Sequence, residues 1–551
     1  MKQITTVFYV SLSIAIAFIL WGAIAPTNMK DITETIQKMI TSELGWFYLL
    51  SATFYVGVGI YLIFSPYGKI KLGKPDEEPE YNYLTWFAFL FTAGMGIGLV
   101  FWGAAEPLSH FFSPPYAAPE TKQAAAEAMR YSIFHWGIHP WAIYAVVALT
   151  LAYFQYRKDE PALFSSTFRP LIGHRVTGPI GKLIDVFVVF ATVFGTATSL
   201  GFGAAQITAG IRYVFPQLQD FNVYIFQVVV IVIVTILFSL SAATGIDKGI
   251  RILSNLNVRL AIILMTFILF LGPTSHIMGV FTQGIGSYAQ NFFSMSFTMD
   301  VYNPESSWVQ DWTIFYWAWW ISWAPFVGAF IARVSRGRTI REFVIGVIAL
   351  PSLFGTLWFS VFGGSSLYFE SIGRDLYSHM QESGTEMALF SLLEQFPLTF
   401  VISIIAVLLI CSFFITSVDS ATVVLGMQTT GGNLNPPGIV KFIWGLIISG
   451  TAAVLLITGG KAGTGLTALQ TASIIGAFPF AVIIILMIVS LFKELRSEKA
   501  ILVVDRERVR QERLALRTER ERVRREQHIL KREQQRFKKE KEKSTPPRKN
   551  D

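Results

Sequence analysis

Long apolar runs alternate with short polar connectors along most of this chain. Several runs exceed the roughly 18 residues that mark a transmembrane candidate. The pattern predicts twelve spans, near residues 5–25, 46–64, 84–106, 132–154, 183–211, 222–242, 254–280, 312–334, 342–366, 398–427, 438–458 and 467–492. An even number puts both termini on one side of the membrane. The connectors 65–83, 155–182, 243–259, 333–341 and 428–441 hold 16 Lys/Arg, the alternate ones 7, and the long connector 281–311 none. By the positive-inside bias, both termini are expected in the cytoplasm. Val7 to Ile24 is long for a signal-peptide core and no small-residue cleavage pattern follows, so it reads as a retained span. Gln283 to Phe297 is mildly amphipathic and is expected to lie along the outer interface.

The pattern changes near Ala500. Leu502, Val509, Leu516, Val523, Leu530 and Phe537 recur every seven residues, each followed three places later by an acid: Asp505, Glu512, Glu519, Glu526, Glu533 and Glu540. One apolar residue per heptad is too few for a stable coiled coil, which needs two. Acids and bases three and four apart support a long charged helix instead, ended by Pro546 and Pro547.

Composition fits a polytopic, all-α membrane protein: 551 residues, 52% hydrophobic and 15% charged. The net charge of +8 is unevenly placed, because the residues from Glu494 onward carry 20 Lys/Arg against 12 Asp/Glu and the rest of the chain is neutral. A basic tail tied to a membrane points to anionic lipid as its partner and makes nucleic acid a poor candidate. The single Cys411 excludes an intramolecular disulfide.

Candidate chemistry centres on Trp312 to Phe330, which holds five of the fourteen tryptophans. On a helix, Trp317, Trp319, Trp320 and Trp323 fall within an arc of about 160°. An interfacial aromatic belt would put one or two rings at each end of a span. Here they run towards the middle. A wall of ring faces suits a cation without hydrogen-bond donors, such as a quaternary ammonium. The fourth span adds Trp136, Trp141 and Tyr144 within about 140°. His135 and His139 beside them have metal-pair spacing, but no third ligand of suitable type is near in sequence, so they read as packing or interfacial histidines. In the third span, Gly94, Gly96 and Gly98 weaken the helix. They serve either close helix packing or an unwound segment whose N–H groups hold an anion. Thr192 and Thr196 share a face of the fifth span, and Phe413, Thr416 and Ser417 share one in the tenth. Such hydroxyls either bond back to their own helix or act as hard ligands for sodium. Asp419, an intramembrane carboxylate, is a functional candidate or a partner for helix ends and arginines.

WAWWISWAPFVG followed by ARVSRGRTIREF, with GMGIG and HWGIHPWAIY, resembles the betaine/carnitine/choline transporter family over roughly residues 5–495. That resemblance implies a LeuT-like core of two inverted five-span repeats with two additional N-terminal helices. Residues 1–83 would lie outside the core, 84–280 and 312–493 would be the repeats, 281–311 an outer interfacial segment, and 494–551 a cytoplasmic tail. It also implies a homotrimer. Trp136, Trp141, Tyr144 and Trp320 would form a trimethylammonium box, with Trp317, Trp319 and Trp323 along the same path. Backbone around Gly94, Gly96 and Gly98 would receive a carboxylate. Thr92, Met95, Phe413, Thr416 and Ser417 would hold one sodium ion, and Thr192, Thr196 and Phe326 another. Choline carriers of the family tend to have an acid where this chain has Gly98, and sodium-independent exchangers have a basic side chain that the fifth span lacks. The expectation is sodium-coupled glycine betaine uptake, with no cofactor. Uptake or exchange of choline, carnitine or another betaine is the nearest alternative, and a membrane osmosensor without net transport the alternative of another class. No catalytic triad, metal-ligand group or phosphate loop beside the aromatic segment argues for an enzyme.

Overall fold

The computed structural model describes residues 4–94, 96–244, 247–303, 305–459 and 465–543. Its regular structure is helical, and among the described residues the β-type pairing is one isolated bridge, Lys71 with Thr339. The longer helices are α1 (Thr6–Ile24), α2 (Pro26–Glu43), α3 (Gly45–Phe64), α4 (Tyr83–Gly94), α5 (Ile97–Phe112), α6 (Lys122–Trp136), α7 (Ile138–Ala152), α8 (Pro179–Val214), α9 (Val223–Thr244), α10 (Asp247–Leu271), α11 (Thr274–Phe297), α12 (Phe315–Val334), α13 (Ile340–Ser371), α14 (Thr399–Thr429), α15 (Gly438–Gly459) and α16 (Gly465–Lys543). Among the described residues, nine helical segments are long and apolar enough to cross a bilayer. The number is ten if α10 and α11, bent by 110°, form one span. The apolar runs of the sequence lie in helix, but the third is split into α4 and α5, each too short to cross alone, and the fourth and seventh are interrupted at Gly137 and at residues 272–273. In the sixth, the apolar helix covers Val223–Ser239. The chain is therefore a multi-pass helical membrane protein.

Helix starts follow local chemistry. Thr339 and Glu342 form a capping box on α13: Glu342 N donates to Thr339 Oγ1 at 3.2 Å and Thr339 N donates to Glu342 Oε2 at 3.0 Å. Thr121 Oγ1 accepts from Ala124 N at the start of α6. The arginines of ARVSRGRTIRE do more than sit near a membrane surface. Arg338 is buried, donates to Tyr81 O at 2.6 Å and lies 4.2 Å from the centre of the Tyr83 ring. Arg341 donates to Ile63 O, and Arg336 pairs with Glu77. Backbone bonds from Leu72 to Arg338 O, Gly337 to Leu72 O and Ile340 to Ile70 O complete a clasp between the connectors after α3 and α12. Gly337 has φ +82°, and a Cβ there would meet Glu78 O at 2.4 Å, so the clasp requires glycine.

Two compact units emerge, residues 1–491 and 492–551. In the first, α12 packs mainly on α7 and α8, α5 on α6 and α13, and α14 on α8 and α10. The second is helical to Lys543. Of the tail's apolar stripe, Leu516, Val523, Leu530 and Phe537 are exposed, while the side chains of Leu502 and Val509 lie outside the described residues.

Candidate functional site

Trp136, Trp141, Tyr144 and Trp320 line one small cavity together with Leu99, Pro140 and Gly355. Its rings meet edge to face: Trp136 and Trp320 at 4.7 Å between centroids, Trp141 and Tyr144 at 5.6 Å, Tyr144 and Trp320 at 6.3 Å. In an edge-to-face pair only one face of one ring is covered, so such packing does not use up all the ring faces that can meet a cation. Trp136 and Trp141 do not share one continuous helix. The fourth span breaks at Gly137, whose φ and ψ of −94° and −131° end α6 and start α7. A Cβ at Gly137 would meet Ile133 O at 2.6 Å, and the freed Ile138 N–H donates to the Tyr288 hydroxyl of α11. The sequence reading missed this break, for which Gly137 ahead of Pro140 was the available signal.

The indole wall of α12 divides between neighbours. Trp320 faces the cavity, with Trp319 stacked on it at 4.8 Å. Trp319 also meets Phe202 of α8 and Trp136. Trp323 packs edge-on against Phe326. Trp317 turns away and stacks on His139 at 5.1 Å, beside Phe134. Trp317 and Trp320 stand only about 60° apart in helical phase, but Trp317 is turned onto His139 and does not line the cavity that Trp320 faces. The indole nitrogens of Trp317, Trp319 and Trp323 and the Tyr144 hydroxyl are buried without a hydrogen-bond partner.

The glycine segment meets this wall. Gly94 closes α4, and Gly96 is extended, with φ −141° and ψ −155°, ahead of α5. Met95 lies outside the described residues, as do the side chains of Thr92 and Gly94's surroundings. A Cβ on Gly98 would lie 2.6 Å from Trp319 Cη2 and 3.0 Å from Trp136 Cη2, and one on Gly96 3.3 Å from Trp323 Cη2. The glycines thus bring the first turn of α5 against three indoles, and a helix start carries unpaired N–H groups.

The hydroxyl clusters are buried. Thr192 Oγ1 donates to Val188 O at 2.7 Å, and Thr196 Oγ1 donates to Thr192 O. Back-bonding uses the proton and leaves oxygen lone pairs available. Phe326 is buried on α12, which packs on α8. On α14, Phe413 and Thr416 are buried and Ser417 half-buried. Thr416 Oγ1 accepts from Asn257 Nδ2 at 2.9 Å, a partner on α10 that the sequence reading did not anticipate.

A second unanticipated feature sits behind the cavity. Glu106 of α5 is fully buried. Its Oε2 accepts from Trp136 Nε1 at 2.8 Å and from the Tyr316 hydroxyl at 2.6 Å. Its Oε1 lies 2.7 Å from His135 Nδ1 and 3.2 Å from His110 Nε2. His135 Nε2 reaches Thr313 Oγ1 at 3.0 Å, and His135 O accepts from Trp320 Nε1 at 3.0 Å. His135 and His139 do not act as a pair: His139 bonds Ser296 and stacks on Trp317, whereas His135 joins Glu106 and His110. Carboxylate and histidine are metal-ligand types, contrary to the expectation that none lay near. Yet two ligands of a tetrahedral ion at about 2.0–2.1 Å stand roughly 3.3 Å apart. The 2.7 Å contact is that of a hydrogen bond. An isolated intramembrane acid followed by proline, AAEP, was the signal that marked Glu106.

Residues 6–500 match the betaine/carnitine/choline family transporter description. The chain is similar to the glycine betaine transporter OpuD of Bacillus subtilis, 54% identical over 91% of this chain and 96% of that protein. It is also similar to a probable glycine betaine transporter of Desulfitobacterium hafniense, 45% identical over 90% and 98% of the two chains. The ectoine/hydroxyectoine transporter of Virgibacillus pantothenticus is 42% identical over 90% and 97%.

Proposed function

We propose that this chain, which belongs to the betaine/carnitine/choline transporter family, imports glycine betaine as an osmoprotectant by sodium-coupled alternating access. The observation that carries the reading is the cavity where Trp136, Trp141, Tyr144 and Trp320 meet, adjoining the glycine-bounded start of α5. Ring faces attract a trimethylammonium group, which cannot donate hydrogen bonds. The first N–H groups of α5 suit the carboxylate at the other end of the ligand. An acid at position 98 would oppose that carboxylate, and this chain has glycine there. The 54% identical relative is named a glycine betaine transporter, which supports the same substrate.

Sodium is the coupling ion of the proposal. Thr192, Thr196 and Phe326 form one set; Thr92, Met95, Phe413, Thr416 and Ser417 form the other. The buried hydroxyls of α8 and α14 supply hard oxygen donors where a membrane interior offers few. The proposal includes a twelve-span, LeuT-like arrangement of inverted repeats in a homotrimer of the bacterial plasma membrane, with both termini cytoplasmic. Interruption of the third span at Gly94–Gly96 supports a discontinuous helix at the start of the first repeat, whereas α12 in the eighth span runs unbroken through Pro325. The decisive measurement is radiolabelled betaine uptake into proteoliposomes with sodium and proton gradients imposed separately. Uptake should follow the sodium gradient, and Thr192→Ala or Ser417→Ala should raise the sodium concentration required. Equal uptake with potassium replacing sodium throughout would refute the coupling. Competition by choline, carnitine and ectoine separates the substrate alternatives.

A further inference from the structure

Four contacts converge on the two oxygens of Glu106: Trp136 and Tyr316 on one, His135 and His110 on the other. The indole N–H and the phenol O–H both donate to Oε2, and with one N–H from each histidine directed at Oε1 all four contacts are ones a carboxylate accepts. Neither His135 nor His110 needs a second proton. The buried cluster then carries one negative charge, held directly behind the indole of Trp136. Burying a charge is costly unless it is paired or fully hydrogen-bonded. The four contacts meet that condition, yet helix packing would be served as well by an uncharged residue.

The carboxylate also ties together the rings that line the cavity. Trp136 is bound to it directly, while Trp320 donates to the backbone carbonyl of His135, whose imidazole is bound to it. Tyr316 donates to it and stacks on Trp320 at 5.9 Å. An anion accepting an indole N–H pushes electron density into that ring, and hydrogen-bonded chains in a low-dielectric interior polarise one another. Both effects make the ring face more attractive to a cation.

We propose that Glu106 is the positioning residue and fixed counter-charge of the aromatic cavity, selecting an onium group over a neutral group of the same shape. The proposal rests on the betaine-binding reading of that cavity. Glu106 acts through Trp136 and Tyr316 and need not touch the ligand.

Glu106→Gln tests charge with little change of shape. Its amide oxygen can accept from Trp136 and Tyr316, and its amide nitrogen can donate to His135 and His110 once each imidazole adopts its other tautomer. The probes are glycine betaine and 3,3-dimethylbutanoate, which replaces the quaternary nitrogen by carbon, and binding is read by intrinsic tryptophan fluorescence of the purified full chain. Betaine should weaken by roughly ten- to a hundredfold, the scale of one charge acting across a ring at an effective dielectric of about 20. The carbon isostere, which keeps the carboxylate but lacks the onium charge, should bind no more weakly than to the wild type. Unchanged betaine affinity, or parallel weakening of both ligands, overturns the proposal. If Glu106→Gln does not fold, Glu106→Asp keeps the charge with a shorter reach, and loss of the betaine-over-isostere preference there overturns it equally. Trp320→Leu separates the two readings. Unchanged betaine binding in that variant removes the cavity as the site, whereas weakened binding there with an unaffected Glu106→Gln removes only the counter-charge.

Discussion

Trp317 and Trp320 are three residues apart, yet one stacks on His139 and the other lines the cavity. Replacing each by leucine should therefore have unequal effects. A cation–π contact is worth about 0.5–2 kcal/mol when partly desolvated. Trp320→Leu should raise the betaine KM by roughly tenfold, and Trp317→Leu should leave it nearly unchanged; concentration-dependent uptake by the two variants checks this. Gly98 offers a second residue-scale test. A methyl group there would press on Trp319 and Trp136, whereas one on Gly57 of α3 would meet nothing within 4 Å. Gly98→Ala should weaken betaine binding several-fold while Gly57→Ala leaves it intact. Equal affinities in the two alanine variants would show that the Gly98 packing does not bear on the ligand. The same contact means that an aspartate at 98 must displace an indole as well as add charge.

The break between α6 and α7 falls where glycine removes a steric conflict and a neighbour takes up the freed backbone group. At Gly137 the neighbour is Tyr288, whose hydroxyl accepts from Ile138 N at 3.2 Å. Tyr288→Phe removes that acceptor and should cost about 1 kcal/mol, with a modest fall in Tm. Gly137→Ala should cost more, because its Cβ must move Ile133 O as well as the tyrosine. A thermal-unfolding series in detergent gives the order, and a more stable Gly137→Ala variant would contradict it. The broken α6–α7 pair turns Trp136 and Trp141 towards one cavity, which a continuous helix does not require. At the opposite end of α12, the arginine clasp fixes the connectors by hydrogen bonds to Tyr81 O and Ile63 O. Charge counting had assigned those arginines only to a membrane side.

Across the whole molecule, charge is segregated: neutral to residue 493 and +8 beyond it. The tail's apolar positions at strict spacing seven drift by about 20° per heptad on a straight helix. Four of them are exposed, Phe537 by 76%. Each excess positive charge contributes roughly 1 kcal/mol near an anionic surface, and salt screens it over about 8 Å at physiological ionic strength. We expect the tail to dock on anionic lipid at low internal salt and to be released as ions concentrate. Deleting the residues after Lys499 should then flatten the dependence of betaine uptake on internal potassium in liposomes containing anionic lipid. Identical activation curves for full-length and truncated protein would rule the tail out as a sensor. Much of this organisation is legible in the linear chain, because it rests on interactions with short sequence range. Apolar runs mark the helices, TIRE marks the capping box, glycines mark the α4–α5 interruption, and the seven-residue spacing marks the tail. Helical phase also identifies which side chains share a face. It does not identify what covers that face: the partition of the indole wall, the link from Thr416 to Asn257 and the convergence of Trp136, His135, His110 and Tyr316 on Glu106 join helices distant in sequence. Those contacts depend on how whole helices pack, since a buried carboxylate is tolerated only where several separate elements bring donors to it at once.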